Sequence, residues 1–124
     1  MSAVNFQSTF EAWLDESLAG EIPEEVVAFM FNLAEPWCVD VVGCGSYDEE
    51  DADWGCDEVF RPETGALDLP EEVVGEDWES VLESCKGMIA GYLKRESAGS
   101  ALLKRATAVA VGFVDGDVEV VWRK

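Results

Sequence analysis

Apolar residues recur along this chain in two rhythms, one helical and one extended. Phe6, Phe10, Trp13, Leu14 and Leu18 return every three or four positions, with Glu11, Asp15 and Glu16 on the opposite side. Ser8 with Glu11 reads as a capping box and Gly20 as a stop, so the spacing predicts a helix over 5–19. After Pro23 the rhythm changes: Val27, Phe29, Phe31 and Leu33 alternate with Ala28, Met30 and Asn32. The aromatic and β-branched content favours a strand. Glu35-Pro36 punctuates it, and Val39 and Val41 flank Asp40 in a second extended run, so residues 25–44 read as a hairpin.

A second helix is marked by Trp78, Val81, Leu82, Cys85, Ile89, Tyr92 and Leu93 at helical spacing behind the candidate cap Asp77. Glu76, Asp77 and Glu79 in its first turn, with Lys94 and Arg95 in its last, suit the helix dipole. Ser97 to Ser100 break this helix, and residues 101–105 read as one further turn. Residues 106–114 are apolar or glycine except Thr107, as in a strand covered on both faces. Asp115-Gly116 signals a hairpin, and Val118, Val120 and Trp122 alternate with Glu119 and Arg123 on the returning strand. Between the two halves, residues 54–60 suggest a short extra strand and residues 61–76 a surface connection. The expected architecture is α+β: an antiparallel sheet of about four to five strands, made of two hairpins and packed by two main helices in the order α-β-β-loop-α-β-β.

At 124 residues the chain has the length of one domain, residues 1–124, and its 48% apolar content is high enough to fold without a cofactor. Its charge is −19 and unevenly placed: residues 1–85 hold 23 acids and the single base Arg61, and residues 86–124 hold four acids and seven bases. Such a field disfavours nucleic acid and anionic membranes and favours a cationic protein. The plainer reading is that the acidity serves solubility. No basic N-terminal segment precedes an apolar run, and no apolar stretch reaches membrane-spanning length, so a cytoplasmic protein with reduced thiols is expected. Cys38, Cys44, Cys56 and Cys85 match no common zinc spacing, although oxidation of Cys38 with Cys44 stays open.

The chain contains no histidine, which removes the commonest general base and the usual activator of a nucleophilic serine or cysteine. Gly43-Cys44-Gly45-Ser46 therefore reads as a strand end followed by a glycine turn. Neither a dinucleotide fingerprint nor a P-loop occurs. An EF-hand register opened at Asp51 places Asp53 at position three but Gly55 at five, Cys56 at six and Pro62 at twelve, and so fails. No enzymatic activity, catalytic residue or resident cofactor is assigned. A non-standard carboxylate site for calcium or magnesium, or a structural domain without a ligand, remains as the alternative.

The densest negative stretch is residues 47–63, where eight acids face only Arg61 and where Trp54, Cys56, Val59 and Phe60 are interspersed. Asp48, Glu49, Glu50, Asp51, Asp53, Asp57 and Glu58 form the candidate partner-binding charge, able to stand in for a phosphate backbone before a basic protein. Trp54 is either the apolar anchor of that interface or a core residue pinning the loop. Asp53-Trp54-Gly55-Cys56-Asp57-Glu58, within residues 48–60, and Gly112-Phe113-Val114-Asp115-Gly116-Asp117 resemble the small acidic immunity proteins of bacterial polymorphic and contact-dependent toxin systems. The resemblance implies a single cytosolic domain that binds and neutralises one cognate toxin, often a nuclease, without catalysis of its own. It carries no contact position over to this chain.

Overall fold

The computed structural model describes residues 3–51, 54, 56–113 and 118–124, with side chains from residue 6 onward. Helix α1 spans Ala3–Ser17. Strands β1, Ala28–Ala34, and β2, Cys38–Cys44, follow, then the short β3, Glu58–Phe60, and β4, Leu67–Asp68. Helices α2, Glu71–Val74, α3, Trp78–Leu93, and α4, Ala98–Arg105, precede strands β5, Ala108–Phe113, and β6, Val118–Arg123. Among the described residues no helix is long and apolar enough to cross a membrane.

The α+β class holds, but the sheet is mixed. Its order is β3-β2-β1-β5-β6, with β4 also pairing β2, which makes six strands among the described residues. The two expected hairpins are present as antiparallel pairs, β1 with β2 and β5 with β6. They are joined by a parallel pairing of β1 with β5, Ala28 opposite Ala108 and Leu33 opposite Phe113. Each leading strand follows a helical segment, and all the helices pack on one face. The two leading strands therefore run the same way and meet in the middle of the sheet.

Strand alternation divides the interior in two. Phe29, Phe31, Leu33, Val39, Val41, Val109 and Val111 face the helices and meet Phe10, Leu14, Val81, Cys85, Ile89 and Tyr92 in the main core. Ala28, Met30, Val42, Cys44 and Ala110 face the other way, into a smaller cluster completed by Trp54. The α1 apolar stripe is buried as its periodicity predicts. Its start lies earlier than expected, so Ser8 sits inside the helix instead of capping it. Asp77 caps α3 as expected, accepting from the Ser80 backbone N–H at 2.8 Å.

Several finer expectations are corrected. Residues 61–76 carry β4 and α2 in addition to surface loop. The final helical turn is two turns long, capped by Ser97, whose hydroxyl accepts from the Ser100 N–H. On β6 a register shift opposite Val109 and Ala110 breaks the alternation: Trp122 pairs Val109, whereas Val120 pairs Ala110. Trp122 thus packs against the helix-side core and Val118 against the opposite cluster. Cys38 and Cys44 stand at the two ends of β2, about 20 Å apart at strand rise, far beyond disulfide reach. The Asp115-Gly116 turn lies outside the described residues.

Candidate binding face

The acidic loop leaves β2 at Cys44 and is closed at its base by the Gly45 N–H donating to the Asp57 carbonyl at 2.9 Å. Between these points the backbone advances by short turns: Asp51 N–H to Asp48 O at 3.3 Å, Trp54 N–H to Asp51 O at 3.4 Å and Asp57 N–H to Trp54 O at 3.0 Å. The Asp48 carboxylate accepts the Glu50 N–H at 2.9 Å, the local bond expected of aspartate at a turn. This winding holds Trp54 inward while Asp48, Glu49, Glu50 and Asp51 point to solvent.

Trp54 is therefore a core residue, with 6% of its surface exposed. It meets Tyr47 edge to face at 5.1 Å between ring centroids and covers the small side chains Ala28 and Ala110 beside Met30, Val42 and Cys44. Small residues there leave room for an indole laid on the sheet. The role of apolar anchor for a partner is withdrawn, because the ring anchors the loop to its own sheet. The Tyr47 hydroxyl is buried in the same place and has no hydrogen-bond partner among the described residues.

The loop crosses the back of the sheet. Its base lies beside β2 and β3, and Glu49 is ion-paired with Arg123 on β6. That traverse covers three strand spacings, about 14 Å. The described acids among those predicted from sequence form a strip across the sheet, with Asp57 and Glu58 at one end and the turn 48–51 at the other. Two of them are internally compensated. Glu58 takes a bidentate pair of bonds from Arg61, at 2.7 and 2.8 Å, while Arg61 also reaches Asp40 at 3.0 Å. The Glu58 bonds foremost, then Asp40, push the guanidinium pKa further up. Asp48, Glu50 and Asp57 are exposed and form no ion pair with any described base. Asp53 lies outside the described residues. Arg61 was the one base the sequence set against these acids, and its pair with Glu58 is local, three residues apart; what sequence reasoning missed is the reach of Arg61 to Asp40 and of Arg123 to Glu49, both distant in sequence.

Among the described residues no group of three side chains of metal-binding type converges. Burial, followed by the negative charge of Asp57 and Glu58, drives the Cys44 thiol up to about 12, which makes it a poor nucleophile. An open groove of about 560 Å³ between the end of α1 and residues 60–64 holds Arg61 beside Glu16, Glu21 and Glu63. Its Ser17 hydroxyl is bonded to Thr64 at 2.6 Å and to the Trp13 carbonyl at 2.8 Å, so it is engaged structurally.

Comparison with family models, curated proteins and solved structures finds no match to this chain.

Proposed function

We propose that this chain is a non-enzymatic binding protein whose acidic strip captures a cationic protein, in the manner of the immunity proteins it resembles. The partner proposed is a cognate basic toxin, most simply a nuclease whose basic substrate cleft the strip would occupy. The observation that carries this reading is the division of labour within one loop: Trp54 fixes it to the sheet, and Asp48, Glu50 and Asp57 stay solvated and uncompensated. Desolvated anchors give residence time, whereas exposed charge gives speed. An inhibitor that must reach a toxic enzyme before it acts gains from association rates of about 10⁸ M⁻¹s⁻¹ or more. A cytoplasmic location in a bacterium belongs to the same proposal.

The test is co-expression with the product of the neighbouring reading frame, co-purification, and stopped-flow association across a salt series. Combining Asp48→Asn, Glu50→Gln and Asp57→Asn is expected to slow association about tenfold at low salt and to flatten its salt dependence, with dissociation little changed. Unaltered association in the triple variant would remove the strip from the interface.

A further inference from the structure

We infer that the aromatic cluster of Trp37, Phe113 and Trp78, at the end of the sheet remote from the acidic loop, is a second docking surface, for an arginine-bearing segment of a protein. Trp78 is the first residue of α3 and keeps 56% of its surface exposed, although it belongs to that helix's apolar stripe. Its ring stands edge-on to Phe113 at 6.4 Å, and Phe113 meets Trp37 at 5.9 Å. Phe113 and Trp37 are only half-buried against the main core. The three rings form a continuous apolar ledge, and an exposed tryptophan supported by two other rings is the residue type that anchors interfaces.

Charge selects the occupant. Glu35 lies two residues before Trp37 in the β1–β2 turn, and Glu76, Asp77 and Glu79 flank Trp78 in sequence; all four are exposed. None forms an ion pair among the described residues, where Arg61, Lys86, Arg95 and Arg123 are paired with other acids. The helix dipole accounts for acids in the first turn of α3. It accounts neither for Glu35 nor for an indole left in water. A guanidinium stacked on the open face of Trp78 could bond to these carboxylates while its stem covers the ledge. The ledge is separated from the loop's departure point by the length of β1, about 20 Å, so this surface does not depend on the loop acting as a binding face.

The test follows the indole N–H signals by NMR during titration with a peptide of alternating arginine and glycine, at about 0.15 M salt to suppress diffuse attraction. The control peptide carries glutamine for arginine. Saturable shifts of the Trp78 and Trp37 signals are expected with the arginine peptide only. Trp78→Ala is expected to weaken binding roughly fivefold, the effect of one exposed cation–π contact. Glu76→Gln with Glu79→Gln should weaken it in the same direction, whereas the Asp48, Glu50 and Asp57 triple variant should leave the Trp78 shifts intact. Shifts confined to the loop, or an affinity untouched by Trp78→Ala, would overturn the assignment. So would concentration-dependent self-association abolished by Trp78→Ala, which would make a second copy the occupant.

Discussion

Replacing Trp54 with alanine separates a core tryptophan from one held on the surface for a partner. A tryptophan side chain offers up to about 250 Å², and Trp54 keeps 6% of its surface exposed. At about 25 cal/mol per Å² the burial is worth at most about 6 kcal/mol. A compact unfolded chain already buries part of that area, which brings the figure to about 3–5 kcal/mol, the usual cost of tryptophan to alanine in a core. Trp54 lies in a satellite cluster that can partly collapse, so the low end, about 3 kcal/mol, is expected. With a urea slope of about 1.5 kcal/mol/M, the unfolding midpoint should fall by about 2 M. A glutamate-specific protease should also cut faster after Glu49 or Glu50, because the loop has lost its pin. Trp54→Phe, which keeps a ring over Ala28 and Ala110, should recover most of the loss. A midpoint shift under about 0.3 M would be surface behaviour and would refute the placement of this residue in the interior.

Two further outcomes follow from packing and from the thiols. A Cβ at Gly99 would lie 1.8 Å from the Tyr92 hydroxyl, which is itself donated to Asp15 at 2.7 Å, so Gly99→Ala should destabilise by about 1–3 kcal/mol in urea unfolding. Adding Tyr92→Phe removes the clashing oxygen, and the double variant should be more stable than the sum of the singles; strict additivity would contradict the contact. Cys44 and Cys85 are buried, and their thiols are pushed up from 9.0 to about 12, chiefly by burial. Below pH 9 both folded and unfolded thiols are protonated and contribute no pH dependence. Above it the unfolded state loses protons first, so stability should fall by up to about 1.4 kcal/mol per pH unit for each thiol until pH approaches 12. In the native protein a thiol reagent should label the exposed Cys56 first, and Cys56→Ser should abolish that fast phase.

Helices α1 and α3 and the two hairpins were legible because their signals are local. The stripe from Phe6 to Leu18 and the stretch from Val81 to Leu93 each declare one buried side, and Asp77 declares where α3 begins. The join between the hairpins was not, since pairing β1 with β5 is decided by which strands lie adjacent once the helices cover one face. A hint existed in residues 106–114, whose nearly uninterrupted apolar run suits a strand with neighbours on both sides and cover on both faces. Of the two tryptophans at issue, Trp78 departs from expectation and Trp54 takes the interior one of its two readings. Trp78 looked interior from its spacing, but the first turn of α3 projects past the core. Trp54 was obscured by the carboxylates around it, because a single inward residue in a short winding loop produces no period. The charge strip was legible as composition, with Arg61 beside Glu58 in sequence, yet the pairing of Arg61 with Asp40 and of Arg123 with Glu49 depends on tertiary geometry.

The parallel seam also orders how the chain assembles. Each hairpin closes a connection of a few residues, whereas Phe29 and Val109 meet only after about 80 residues have been looped, an entropy cost of about 4 kcal/mol against about 1 for the β1–β2 turn. The two hairpins can therefore zip independently and early, and the centre of the finished sheet is the last part to be sealed. Until that moment both leading strands present unpaired backbone edges, and the strong mutual repulsion of so many carboxylates keeps neighbouring nascent chains from filling them.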